Sequence, residues 1–209
     1  MLIYQATTKT AQEIVDETEI LVKDDSNNIW TEAEVFQALK MAIRKLYPDV
    51  FTPKRDTSLT TSSNSYEYTI PDTLDMIHAV EILPSANEQY EGVRFHSEWD
   101  GSNNKLRLFE LFASGLTIKL VGGTRLTIPD AIGDSLDIPV DAEDLLITGT
   151  KIELYEMILL DKGKMNQFAA REEEVTEVDV QNMIDAMKRE YARRKGEIAT
   201  TLISQVTRI

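Results

Sequence analysis

Between Leu136 and Gly163 the chain reads LDIPVDAEDLLITGTKIELYEMILLDKG, and over Leu154–Leu160 it is apolar nearly all round a helix. A helix without a polar face has to be buried on several sides, so other elements must be built around this one. Asp137-Ile138 approaches it extended, because the residue before Pro139 is kept out of the α region. Asp141 is the expected N-cap, with Glu143 and Asp144 in the first turn, where the helix dipole favours negative charge. Leu145, Ile152 and Leu159 form one stripe, and Ile147, Leu154 and Ile158 a neighbouring one, so the two merge into a wide face.

Upstream, residues 1–9 carry no clear pattern. Ala11–Lys23 has the spacing of a short amphipathic helix, with Ile14, Val15, Thr18, Leu21 and Val22 on one side. Asp24-Asp25-Ser26-Asn27-Asn28 follows as a turn; it lacks the glycine and final bidentate glutamate of a calcium loop. The next helix announces itself: Thr31 and Glu34 have capping-box spacing, and Trp30 with Val35 that of a hydrophobic staple. Phe36, Leu39, Ile43 and Leu46 continue it, and Tyr47-Pro48 ends it.

Thr57–Ser65 is Ser/Thr-rich and is expected to be a connector. The period then changes to two. Tyr66, Tyr68 and Ile70 share one strand face, and Met76–Leu83, apolar on both faces, is expected inside its sheet. Val93–Trp99 and Lys105–Leu111 flank a hairpin loop at Asp100–Asn104, and Leu116, Ile118 and Leu120 mark a fifth strand. Val121-Gly122-Gly123-Thr124 lacks the Lys-Ser/Thr ending of a phosphate loop and is read as a turn, after which Thr124–Ser135 is a longer connection. Beyond Gly163 a short helical piece is expected around Asn166–Ala170, then the acidic run Glu172–Glu174. A capped helix starts at Thr176 with Asp179, and Val180, Ile184, Met187 and Tyr191 lie at helical spacing along it. Its end is basic at Lys188, Arg189, Arg193, Arg194 and Lys195, and Gly196 is the expected stop. The segment ATTLISQVTRI then presents Leu202, Ile203, Val206 and Ile209 without an evident partner in the chain. The fold class is therefore α+β: a bundle of three to four helices with an inserted antiparallel sheet of about four to five strands and an extended C-terminal tail. Residues 1–198 form one domain, with helices in 10–50 and 137–198 and the β module in 64–136, and 199–209 is the tail.

The 209 residues can bury a substantial core, and the absence of cysteine excludes disulfides, thiolate metal sites and cysteine nucleophiles. No apolar run reaches the roughly 18–20 residues of a membrane span, and MLIYQATTKT has no secretory signal pattern. A net charge of −14 disfavours gripping a phosphate backbone and favours solubility or a basic partner surface. Chemistry is sparse. His78 and His96 sit in strands without an acid or histidine companion at ligand or dyad spacing, and no carboxylate pair stands out as a general acid and base. Trp30 and Trp99 lack the basic neighbours of a base-stacking surface. The expectation is no enzyme, no cofactor and no metal.

The order of these elements goes further than their composition. The capped helix TEAEVFQALKMAIRKLYPDVF, the strands of YEYTIPDTLDMIHAVEIL, the hairpin HSEWDGSNNKLRLF, the strand LTIKLVGGTRL and the long helix after LDIPVDAEDL, with a late helix and tail, resemble the head-to-tail adaptors of tailed bacteriophages. These are also called portal adaptors or tail tubular protein A. The resemblance spans about residues 10–209. It implies a virion neck protein, assembled in the host cytoplasm into a ring of twelve copies. Such a ring joins the portal protein to a downstream tail or nozzle protein and lets DNA pass through its lumen without sequence-specific binding or any membrane. It also implies that the C-terminal segment docks on the portal, through Leu202, Ile203, Val206 and Ile209, with Arg193, Arg194 and Lys195 facing portal carboxylates. The rival expectation is an acidic cytosolic binding or regulatory module that engages a basic partner. A hydrolase working through Asp or Glu with a borrowed metal lacks a ligand cluster.

Overall fold

The computed structural model describes residues 5–24, 28–84, 89–172 and 175–207, with side chains described to residue 204. The architecture is α+β, with five α-helices and two antiparallel sheets of four and three strands among the described residues. The chain divides into a helical unit, Tyr4–Phe51 with Leu126–Thr201, and a β unit, Thr52–Arg125, with which the last residues from Leu202 also group.

In the helical unit, α1 (Ala11–Leu21) and α2 (Glu32–Leu46) each begin with a capping box. Thr31 Oγ1 accepts from the Glu34 N–H at 3.3 Å, while the Glu34 carboxylate accepts from the Thr31 N–H at 2.9 Å. Trp30 and Val35 are both buried beside it, as a staple requires. Between the two helices Asp24 is buried, and its carboxylate accepts the N–H groups of Asn28, Ile29 and Trp30 at 2.9–3.2 Å. Its oxygens therefore organise a turn. Residues Asp25–Asn27, Glu173-Glu174 and Ile209 lie outside the described residues.

Helix α3 (Glu143–Leu160) is buried along most of its length, with Leu145, Leu146, Ile147, Ile152, Leu154 and Ile158 all withdrawn from solvent. The run Leu154–Leu160 is not buried to its end: Leu160 is 88% exposed. Its start differs from expectation. Asp141 is not the N-cap: the chain turns through a 3-10 turn, Val140–Ala142, and Ala142 precedes α3 without any side-chain cap. The reason is a pairing distant in sequence. Thr7 N–H donates to Ile138 O (2.8 Å), Leu136 N–H to Lys9 O (3.1 Å) and Val140 N–H to Gln5 O (3.0 Å), so the segment before α3 is fixed by an extended N-terminal segment. Glu143 then takes the Thr7 hydroxyl and pairs with Lys9 at 3.3 Å, bringing negative charge to the helix start by another route.

Helix α4 (Lys162–Arg171) is capped by Asp161, and α5 runs from Glu177 to Thr207. Trp30, Tyr155 and Phe168 meet edge to face, with ring centroids 6.0 and 5.7 Å apart, and so join the start of α2 to α3 and α4. At Gly149 an added Cβ would lie 3.2 Å from Ala42 Cβ and 3.1 Å from the Tyr191 ring, tight contacts that α2 and α5 would have to shift slightly to admit.

The β unit holds seven strands among the described residues: β1 (Thr52–Thr60), β2 (Glu67–Thr69), β3 (Met76–Leu83), β4 (Glu91–Val93), β5 (Phe95–Trp99), β6 (Asn104–Leu108) and β7 (Thr117–Thr124). They form sheets in the orders β1-β7-β3-β4 and β2-β6-β5. Ile70, Leu74, Val80, Ile82, Leu106, Leu108, Ile118 and Leu120 make one core from both sheets. Three sequence expectations change here. Part of the supposed connector is β1, a polar strand whose main-chain partner is β7. The single strand expected over Val93–Trp99 is two, because the chain switches sheets at Arg94. Gly122-Gly123 is no turn but the end of β7, paired with Met76-Ile77; a Cβ on Gly122 would fall 1.9 Å from Met76 O, so only glycine lets the strands approach at that irregular step.

Candidate functional site

The residues singled out for docking all belong to the second half of α5 or lie just beyond it. The helix begins with the predicted box: the Thr176 hydroxyl donates to the Asp179 carboxylate at 2.6 Å, and Asp179 N–H returns to Thr176 Oγ1 at 3.3 Å. It does not stop at Gly196. That glycine has ordinary helical surroundings with open space where a Cβ would go, and the helix continues to Thr207, a length of roughly 46 Å at 1.5 Å per residue.

Arg193 lies between Glu190 (2.5 Å) and Glu197 on the exposed side of α5, and these neighbours keep its guanidinium protonated throughout the accessible pH range. Arg194 reaches Asp144 in the first turn of α3 at 3.3 Å. Lys195 pairs with Asp49 at 2.8 Å and donates to Lys45 O at 2.7 Å, which satisfies a carbonyl at the end of α2. Lys188, about two turns earlier, holds Glu156 at 2.6 Å. The basic cluster thus fastens α5 to α2 and α3. The partners Asp144 and Asp49 are remote in sequence, and no spacing rule finds them.

Leu202 is 3% exposed and so is already covered within the chain, whereas Ile203 is 40% exposed. Val206 lies within α5, with its side chain outside the described set, as is Ile209. Of the four apolar residues, Ile203 is the one among the described side chains that is partly exposed.

The remaining titratable groups are structural in setting. His78 is half-buried in β3, and burial pushes its imidazole below the usual histidine range, towards the neutral form. His96 is exposed on β5, 3.8 Å from Glu98. Tyr191 is half-buried against α3 with its hydroxyl covered; burial first, then the Glu153 and Asp49 charges, push its phenol up to about 12. A groove of about 330 Å³ in the β unit is floored by Ile82, Val93, Phe112 and Leu116, with Glu91, Arg94 and Glu110 at its rim. It carries no nucleophile–base pair, and no cluster of three potential metal ligands occurs among the described residues. No helix among them is long and apolar enough to cross a membrane.

No family model and no curated protein matches the chain. Among solved structures it is similar to a chain of the neck of an empty GTA particle, computed with C6 symmetry, at 13% identity and a TM-score of 0.29 over 74% of this chain and 84% of that one. A likeness of that size fixes neither the fold nor the role of this chain.

Proposed function

We propose that this protein is a structural adaptor of a tailed-phage-like particle. In this reading it assembles as a ring, of twelve copies, that joins the portal to the next tail or nozzle protein and continues the DNA channel. The observation that carries the reading is the order of elements: a capped helix, an inserted antiparallel β unit, a buried central helix and a closing long helix, the order implied by the adaptor resemblance. Charge supports it. The helical unit holds fourteen Lys and Arg against twenty-six Asp and Glu, so a ring of such units repels DNA and lets it slide. No catalysis, cofactor or membrane contact belongs to this role, and its place is the virion neck after assembly in the host cytoplasm.

Docking on the portal is assigned to the end of α5, through Ile203 with Val206 and Ile209, while Leu202 stays packed within the chain. Arg193, Arg194 and Lys195 turn to portal carboxylates in this scheme. The Arg193 and Arg194 pairs are solvent-exposed, and exposed pairs contribute only about 0–1 kcal/mol, so exchanging their partners costs little. Lys195, mostly covered and bonded to Lys45 O, gives up more on turning away. Ile203→Asp is expected to leave the fold unchanged by circular dichroism and to lower co-sedimentation with portal rings at least about tenfold, the loss of roughly one buried aliphatic side chain. Undiminished co-sedimentation contradicts the docking assignment. The strong acidity also favours a second reading, a module that holds a basic partner by charge. Such a complex dissolves by about 0.5 M salt, where screening acts within a few ångströms, whereas an apolar contact survives.

A further inference from the structure

Each sheet has two edge strands, and three of the four edges are blunted. β1 carries Pro53, Lys54 and Arg55, and an irregularity between Asp56 and Leu59 breaks its ladder. β4 has three residues. On β2 the outward N–H and C=O of Glu67 are both taken by the Ser65 hydroxyl, at 3.1 and 2.7 Å. β5, FHSEW, is different. It runs five residues in unbroken register with β6, without proline, lysine, arginine or bulge.

The phase of the ladder shows which groups face outward. Phe109 N–H donates to Arg94 O and Asp100 N–H to Asn103 O, so the even-numbered residues of β5 bond to β6. Phe95, Ser97 and Trp99 therefore turn their N–H and C=O groups to the open edge. His96, Ser97, Glu98 and Trp99 are exposed, Trp99 at 62%.

We infer that this edge pairs with β5 of a second copy of the chain, antiparallel and centred on Ser97. The sequence of the strand selects that occupant and that register. With Ser97 opposite Ser97, the outward backbone groups of residues 95, 97 and 99 meet one another. Phe95 then lies across from Trp99 of the second copy on one face, and His96 across from Glu98 on the other, each twice by the two-fold axis. Shifting the centre to 96 sets His96 against His96, and shifting it to 98 sets Glu98 against Glu98, with fewer main-chain bonds in both cases. Only the Ser97 register is self-complementary in charge and in aromatic contact. The contact is small, so the pair is transient and concentration-dependent. It stands independently of the adaptor reading.

The test is sedimentation equilibrium of the full chain, alone, across roughly 10 μM to 1 mM, the range of weak contacts. The expected result is a monomer–dimer equilibrium, with Trp99 emission moving to shorter wavelength as dimer forms; Trp99→Phe removes that change and leaves the signal of the buried Trp30. Ser97→Pro, which deletes the central donor, abolishes dimer. Glu98→Lys, on an exposed side chain, sets a cation against His96 of the second copy and weakens association about tenfold. Because it also places a lysine opposite Lys105 of the same chain, circular dichroism is used to check that the variant is folded. A monomer throughout the range, or a dimer indifferent to Ser97→Pro and Glu98→Lys, overturns the pairing.

Discussion

Tyr191 concentrates several demands on one side chain. Its ring fills the space that Gly149 leaves on α3, and its hydroxyl is buried without a hydrogen-bond partner among the described residues. Its phenol is held neutral up to about 12, whereas an unfolded tyrosine ionises near 10. Between those values the unfolded chain binds fewer protons than the folded one, so this group's contribution is fully present below pH 10 and is lost as pH rises towards 12. Tyr191→Phe is therefore expected to be at least as stable as wild type in urea at pH 7 and to show a shallower loss of stability between pH 10 and 12. An identical alkaline slope contradicts that assignment. At this scale the caps were legible in sequence, Thr31 with Glu34 and Thr176 with Asp179, because both partners lie within one turn. The partners of Arg194 and Lys195 were not legible, since Asp144 and Asp49 reach them only through folding.

Elements were legible where local pattern and burial agree. The apolar run of α3 announced its central place as far as Ile158, though Leu160 at its end stands in solvent, and the two-faced apolar strand β3 does lie between β7 and β4. Elements defined by a remote partner were hidden. β1 has no apolar alternation because it is a polar edge strand, and Gly122-Gly123 imitates a turn because the signal for glycine there is the backbone of Met76. Asp141 lost its capping role to the pairing of residues 5–9 with 136–140. Gly196 carries the same lesson in helical form: glycine is a common stop, yet this one sits inside α5 with room around it. Gly196→Ala is accordingly expected to stabilise the protein by about 0.5–1 kcal/mol in thermal or urea unfolding, the ordinary gain in a helix interior. A destabilisation of similar size means that α5 ends there.

For the whole molecule, the α+β class and the insertion of a β unit between helices could be read from the chain, but the division of that unit into two sheets could not. It depends on a change of sheet at a single residue, Arg94. The proposed docking surface was legible as composition and not as geometry: basic residues of α5 first serve to fasten it, and of the apolar four, Leu202 is already buried while Ile203 is partly exposed. An adaptor built this way carries its acidity mainly in the helical unit and offers a short apolar contact at the end of a long helix. Particle mass by light scattering, for the 23.7 kDa chain alone and mixed with portal rings, tests this most directly. The account predicts that the portal particle gains about twelve copies and stops there, because a closed cyclic ring saturates. A portal mass that does not change, with the chain remaining monomer or dimer beside it, contradicts the adaptor role.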